Sequence, residues 1–136
     1  MRYNGTIKEH YGFIYDKGDF KSSLTEWYNN LIDKTYGELD VQDVTRMLRQ
    51  SILPDVAIQR AIELFEIDPF CGELVDGDIL RIIVENWNTI KDENLIVIIR
   101  NVLKDLRVKT NEFDWMSSSC KDRYLSNIDI AEGLIK

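Results

Sequence analysis

Apolar residues recur at helical spacing through most of this 136-residue chain. Leu24, Trp27, Tyr28 and Leu31 stand at i, i+3, i+4 and i+7, which places them on one face of an α-helix. Similar stripes return in the later segments, and strand-like alternation is almost absent after residue 22. The pattern therefore predicts an all-α, single-domain helical bundle of about six helices.

Capping and breaking residues set the boundaries of these predicted helices. Ser23 and Glu26 have the spacing of a capping box, and Pro54 suits a first helical turn. Asp76 or Asp78 is expected to cap a helix, residues 108–119 are expected to be looser, and Gly133 is expected to be a defect in the last helix. The predicted helices begin near Ser22, Asp40, Pro54, either Asp76 or Asp78, Asp92 and Tyr124.

The first 21 residues differ from the rest because they hold five of the 14 aromatic residues. Tyr11, Phe13 and Tyr15 alternate ahead of a polar turn at residues 16–19, which predicts either a small β-hairpin or an ordered arm. We therefore divide the chain into an N-terminal arm (1–21), a helical core (22–106) and a C-terminal tail (107–136) with a final helix.

The chain is acidic, with 24 Asp and Glu against 17 Lys and Arg and a formal charge of −7. Such a charge repels phosphate backbones and favours a basic protein partner rather than a nucleic acid. No apolar run reaches the roughly 20 residues that a membrane crossing needs, and the N-terminus is polar. We therefore expect a cytoplasmic protein with no membrane contact.

Residues for catalysis are sparse. His10 is the only histidine, and Cys71 and Cys120 stand far apart without a metal-binding or redox spacing. No glycine-rich phosphate loop is present, and none of these residues forms a nucleophile–base pair in the sequence. We expect a binding protein that is not an enzyme and has no cofactor or bound metal.

One segment concentrates negative charge. Between Ala61 and Leu80 there are six acids and no base, a local charge of −6. This block is either a solvated face or a docking surface for a basic partner. Its acids are Glu63, Glu66, Asp68, Glu73, Asp76 and Asp78.

The stretch from residue 23 to 87 resembles the immunity proteins of bacterial contact-dependent growth inhibition (CDI) systems. The resemblance lies in residues 23–27, 39–50 and 61–65, and above all in the motif DPFCGELVDGD at residues 68–78. It covers about half of the chain and leaves residues 1–21 and the tail after Arg107 unaccounted for. Val75 departs from the family, which often has an aromatic residue before Asp76-Gly77.

This resemblance implies a small, helical, cytoplasmic protein without catalytic activity. It would bind the cognate C-terminal toxin domain of a CDI adhesin in a one-to-one complex and occlude the active or substrate-binding site. Many such toxins are nucleases, whose basic surfaces match the −7 charge. The alternative is a cytosolic helical adaptor or regulatory protein that binds a basic protein partner.

Candidate toxin contacts come from three places. In the motif, a mainly structural role is expected for Asp68, Pro69, Gly72 and Gly77. The acids between residues 61 and 80 are expected to attract the basic toxin electrostatically. The arm and tail supply aromatic and charged side chains of the kind that dominates interfaces, although the arm's rings could instead cover one end of the bundle. The complete set is Tyr15, Asp16, Asp19, Glu63, Glu66, Asp68, Glu73, Asp76, Asp78, Glu112, Asp114 and Trp115.

Overall fold

The structure, a computed structural model, describes residues 5–14 and 23–135. Within these ranges the chain forms α-helices and two 3₁₀ turns, at Tyr36–Glu38 and Trp87–Thr89, and no strand beyond an isolated bridge between Thr6 and Thr35. The predicted all-α fold is confirmed, with eight α-helices in the described residues rather than about six. They are α1 (Ile7–Tyr11), α2 (Ser23–Ile32), α3 (Val41–Arg49), α4 (Pro54–Ile67), α5 (Asp78–Glu85), α6 (Glu93–Leu103), α7 (Leu106–Glu112) and α8 (Ser118–Ile135).

Helix α4 lies at the centre of the packing. It contacts α3, α5 and α6, while α5, α6 and α7 each pack against α8. Phe65 of α4 is fully buried, and burial of a side chain of this size contributes about 1.5–3 kcal/mol. A continuous core cluster extends from Ile7 in α1 to Ala131 in α8. Leu31 belongs to this core, and Trp27 and Tyr28 of the same predicted stripe pack against it, so that face of α2 is turned to the core.

A buried carboxylate joins α2 to α3. Asp43 is 3% exposed and accepts hydrogen bonds from Trp27 Nε1 at 3.1 Å and Lys34 Nζ at 2.6 Å. It also forms a capping box with Asp40, in which each carboxylate accepts the other residue's backbone N–H. Burial opposes the charged form of Lys34, but the hydrogen bond and charge of Asp43 outweigh it and raise the pKa of Lys34. The start of α3 is thus fixed by side-chain contacts with α2 and the loop after it.

The predicted hairpin in the arm is wrong for the described residues. Thr6 and Glu9 form a capping box that starts α1, and Gly12 ends it with a left-handed backbone at φ +72°. Tyr11 is therefore the last residue of a helix, and Phe13 packs on the core next to Tyr28. The remainder of the hairpin prediction, with Tyr15, Asp16 and Asp19, lies outside the described residues.

The tail is more helical than the sequence predicts. Residues 106–112 form α7, in a segment that was expected to be loose beyond residue 108. Helix α8 begins at Ser118, six residues before the predicted start, and Gly133 does not interrupt it. Arg107 of α7 forms ion pairs with Asp129 and Glu132, and these pairs link α7 to α8. Within the described residues no helix is both long and apolar enough to cross a bilayer.

Candidate functional site

The segment between α4 and α5, residues 68–77, is called the α4–α5 loop here. Asp68 ends α4, as predicted, and its Oδ1 accepts a hydrogen bond from Phe70 N at 3.0 Å. Further along, Gly77 N donates to the carbonyl oxygen of Phe70 at 2.6 Å, and Ile79 N donates to that of Cys71 at 3.0 Å. These bonds connect the start of the loop to the start of α5, so the loop closes on itself.

Two glycines permit this closed path. A Cβ atom on Gly72 would lie 1.9 Å from the carbonyl oxygen of Val75, closer than any real contact. Gly77 has φ +86°, a conformation that favours glycine, and a Cβ there would lie 2.5 Å from Cδ1 of Tyr124. The scaffold role predicted for these two glycines agrees with this geometry.

Asp78 stabilises the loop from inside. It is 8% exposed, and its Oδ2 lies 3.4 Å from the backbone nitrogens of both Leu74 and Val75. Arg81 pairs with its Oδ1 at 3.4 Å. The predicted aspartate cap is wrong, because Gly77 occupies the N-cap of α5 and no side chain caps it. Asp78 instead holds the amides of the preceding loop.

An aromatic cluster supports the other side of the loop. It consists of Phe70, Phe113, Trp115 and Tyr124, with ring centroids between 4.4 and 5.6 Å apart. The hydroxyl of Tyr124 donates to the carbonyl oxygen of Pro69 at 2.6 Å, and Trp115 Nε1 donates to that of Thr110 at 2.8 Å. Burial raises the pKa of Tyr124, so this hydroxyl stays a donor. Trp115, a candidate contact, therefore also has a structural role.

Cys71 is half-buried, three residues before the exposed stretch of the loop at residues 74–76. Burial, with a smaller contribution from the charge of Asp68, raises the pKa of its thiol to about 11. A thiol that keeps its proton at neutral pH is a poor nucleophile and a poor metal ligand. Within residues 5–14 and 23–135, no group of three His, Cys, Asp or Glu side chains is arranged to hold a metal ion.

Two adjoining cavities flank the loop and share Val75, Asp76 and Cys120 in their walls. The smaller, of about 260 Å³, brings three of the sequence-predicted residues together, namely Glu73, Asp76 and Trp115. The larger, of about 410 Å³, lies between α5 and α8 and includes Asp76 and Asp78. The structure thus gathers part of the predicted acidic block and part of the tail at one place.

The predicted acids differ in how much charge they offer to a partner. Glu63 pairs with Arg60 at 3.2 Å, and the side chain of Glu73 is 12% exposed and lies 3.4 Å from Arg49. Asp78 is buried as described, so these three act within the fold. The exposed members within the described ranges are Glu66, Asp68, Asp76, Glu112 and Asp114.

Two site residues escaped sequence reasoning. Leu74 is 84% exposed at the smaller cavity, and Met116 is 91% exposed at the same cavity. Leu74 belongs to the motif at residues 68–78, but the contacts predicted from the sequence are all acidic or aromatic residues. The signal available in the sequence was that both apolar residues stand outside a helical stripe, in segments between predicted helices.

Comparison with known proteins gives a family for the chain. Residues 12–100, about two thirds of the chain, match the CDI immunity proteins. The match starts inside the arm, so it includes residues 12–21, which the resemblance in the sequence had left unaccounted for. No curated protein and no solved structure matches the chain. The matched region contains α2 to α5 and the whole α4–α5 loop, and on this match the chain belongs to the family of CDI immunity proteins.

Proposed function

We propose that this protein binds the C-terminal toxin domain of its cognate CDI adhesin and neutralises it without turnover. The observation that carries the proposal is the family match over residues 12–100. In this proposal the complex is one-to-one, forms in the cytoplasm and occludes the toxin's active or substrate-binding site. Family membership supports an immunity role, and the remaining details are inferred from charge and surface geometry.

The charge of the chain supports a basic toxin, and a nuclease fits this description. The net charge is −7, and residues 61–80 contain six acids and no base. Nucleases hold phosphates with lysine and arginine, and exposed carboxylates compete for the same side chains. Asp76 is the exposed acid that both cavities share, which makes it the strongest candidate for such competition.

The proposed contacts come from three places: the surroundings of the α4–α5 loop, the end of α7 with the residues after it, and the arm. Asp76, with Glu66 and Asp68, supplies negative charge around the α4–α5 loop. Glu112 at the end of α7 and Asp114 just after it add further charge. The other predicted contacts, Glu63, Glu73, Asp78 and Trp115, bond within the fold, and in this proposal they keep the surface in shape. The arm residues Tyr15, Asp16 and Asp19 complete the proposal and lie outside the described residues.

Titration of the toxin's activity against this protein tests the proposal. We expect activity to vanish at about one equivalent and to stay absent, because the inhibitor is held in the complex. Protection by far less than one equivalent at long times would instead show an enzyme that modifies the toxin.

A substrate analogue that the toxin cannot turn over tests the occlusion. If this protein covers the substrate-binding site, a saturating analogue should slow its association with the toxin, because the two compete for the same surface. An association rate that the analogue leaves unchanged would place the block away from that site.

A further inference from the structure

Exposed apolar side chains are concentrated at the smaller cavity. Leu74 is 84% exposed, Met116 is 91% exposed and Val75 is 41% exposed, and all three line it. They account for three of the nine large apolar residues that are exposed in the described ranges, and Ile130, a fourth, lines the adjoining cavity. Exposed apolar residues that stand singly are ordinary, whereas neighbouring ones rimmed by polar residues mark interaction sites. Leu74, Val75, Asp76 and Met116 are called the Leu74 surface here.

The backbone beneath this surface is fixed before any partner arrives. The amides of Leu74 and Val75 face the buried carboxylate of Asp78, and the ends of the loop are bonded to each other. Gly72 leaves no room for a Cβ atom against Val75. The side chain of Leu74 projects outward from this fixed backbone. Because little backbone freedom remains to be lost, contacts made by Leu74 carry a small ordering cost on binding.

The charges around the Leu74 surface select the kind of partner. Asp76 is exposed at the edge of this surface, whereas the neighbouring Glu73 forms an ion pair with Arg49. Of the six acids between residues 61 and 80, Glu63, Glu73 and Asp78 pair with arginines. The charge available to attract a cationic partner is therefore that of the exposed acids Glu66, Asp68 and Asp76. A second copy of this chain is disfavoured, since a symmetric contact would bring the Asp76 carboxylates of two −7 molecules toward each other.

The geometry points to the Leu74 surface as the docking site for the toxin domain, with Leu74 and Met116 as its apolar anchors. The complementary face of the toxin carries an apolar pocket bordered by lysine or arginine, which meets Asp76. Interfaces are commonly built this way, with a few apolar anchors at the centre and charges at the rim. This inference rests on the proposed function and names the surface that performs it.

Toxin affinity of truncated variants tests the inference. We expect Leu74→Ala and Met116→Ala each to weaken binding and the double variant to weaken it at least about tenfold, mainly through faster dissociation. Leu74→Met should restore most of the affinity, because it retains a large apolar side chain. Val108→Ala is the matched control, since Val108 is 60% exposed on α7 and lines neither cavity; it should bind as the wild type does.

The outcomes separate the two proposals. Tight wild-type binding together with wild-type affinity in the double variant overturns the Leu74 surface and leaves the proposed function standing. Failure of the wild type to bind its toxin overturns both. Sedimentation measures whether the wild type forms a dimer and whether Leu74→Ala dissociates it. If both are so, the surface serves self-association, and the inference is overturned. Melting temperatures equal to that of the wild type confirm that the affinity losses come from the contact itself.

Discussion

At the scale of single residues, the glycines of the α4–α5 loop make the sharpest prediction. Gly72→Ala forces a Cβ atom against the carbonyl oxygen of Val75, and Gly77→Ala adds strain at φ +86° and a clash with Tyr124. Each substitution should lower the free energy of unfolding by about 1–3 kcal/mol. Gly37→Ala is the control, because nothing lies within 4 Å of its added Cβ. Equal melting temperatures for Gly37→Ala and Gly72→Ala would contradict the tight closure of the loop.

A fourth glycine makes the opposite prediction. Gly133 lies within α8, and an added Cβ there meets nothing within 4 Å. Gly133→Ala should therefore raise the free energy of unfolding by about 0.5–1 kcal/mol, since alanine loses less backbone entropy in a helix. Urea denaturation of the two proteins measures the difference, and a destabilised variant would show that α8 ends before residue 133.

At the scale of secondary-structure elements, Asp43 determines how α2 and α3 are joined. Asp43→Ala leaves Trp27 and Lys34 without their carboxylate and removes half of a capping box, so we expect a loss of about 1–3 kcal/mol. The comparison is Glu85→Ala, which breaks an exposed pair with Arg81 one helical turn away. That change should cost less than about 0.5 kcal/mol. Chemical denaturation that gives equal losses would contradict the importance of burial at Asp43.

The sequence predicts helices well where the signal is local. Asp40 and Pro54 mark real starts because caps and first-turn prolines act within a few residues. The sequence did not predict α1, because the alternating rings of Tyr11 and Phe13 indicated a strand. The capping box of Thr6 and Glu9, which starts this helix, has the weaker signal in the sequence. Helix α7 was missed because one of its inward positions is Thr110, a polar residue whose hydroxyl donates to the carbonyl oxygen of Leu106.

At the scale of the whole molecule, stability should decline at alkaline pH. The folded state holds the pKa of Cys71 at about 11, above its unfolded value, and it also raises the pKa of Tyr124 and Lys34. Between about pH 9 and 11 the unfolded chain therefore binds fewer protons than the folded one, and stability falls as pH rises. Cys71→Ala should flatten this decline in thermal melts, and an unchanged slope would show that Cys71 is not shielded.

The net charge of −7 makes a prediction about association with the toxin. The association rate should fall as salt rises, because screening weakens long-range attraction, whereas the dissociation rate should change much less. Stopped-flow or surface-binding kinetics at two salt concentrations measures both rates. An association rate independent of salt would contradict a basic partner.

The candidate site could be predicted only in part from the sequence. Counting acids located the block that contains Asp76, because charge density is a local property. The count could not show that Glu73 forms an ion pair with Arg49, which is 24 residues away in the sequence. It also could not show that residues 115 and 116 lie beside the loop. Such proximities depend on how α8 and the segment before it pack, and helical periodicity does not specify that packing.

The closed α4–α5 loop also bears on how immunity could diversify over evolutionary time. Its backbone is held by Gly72, Gly77, Asp78 and Tyr124, and none of these bonds uses the side chains of Leu74 or Asp76. Substitutions at those outward positions are therefore nearly neutral for folding while they alter what a partner meets. If the Leu74 surface binds the toxin as proposed, such substitutions change which toxin is recognised while the loop that presents them keeps its fold.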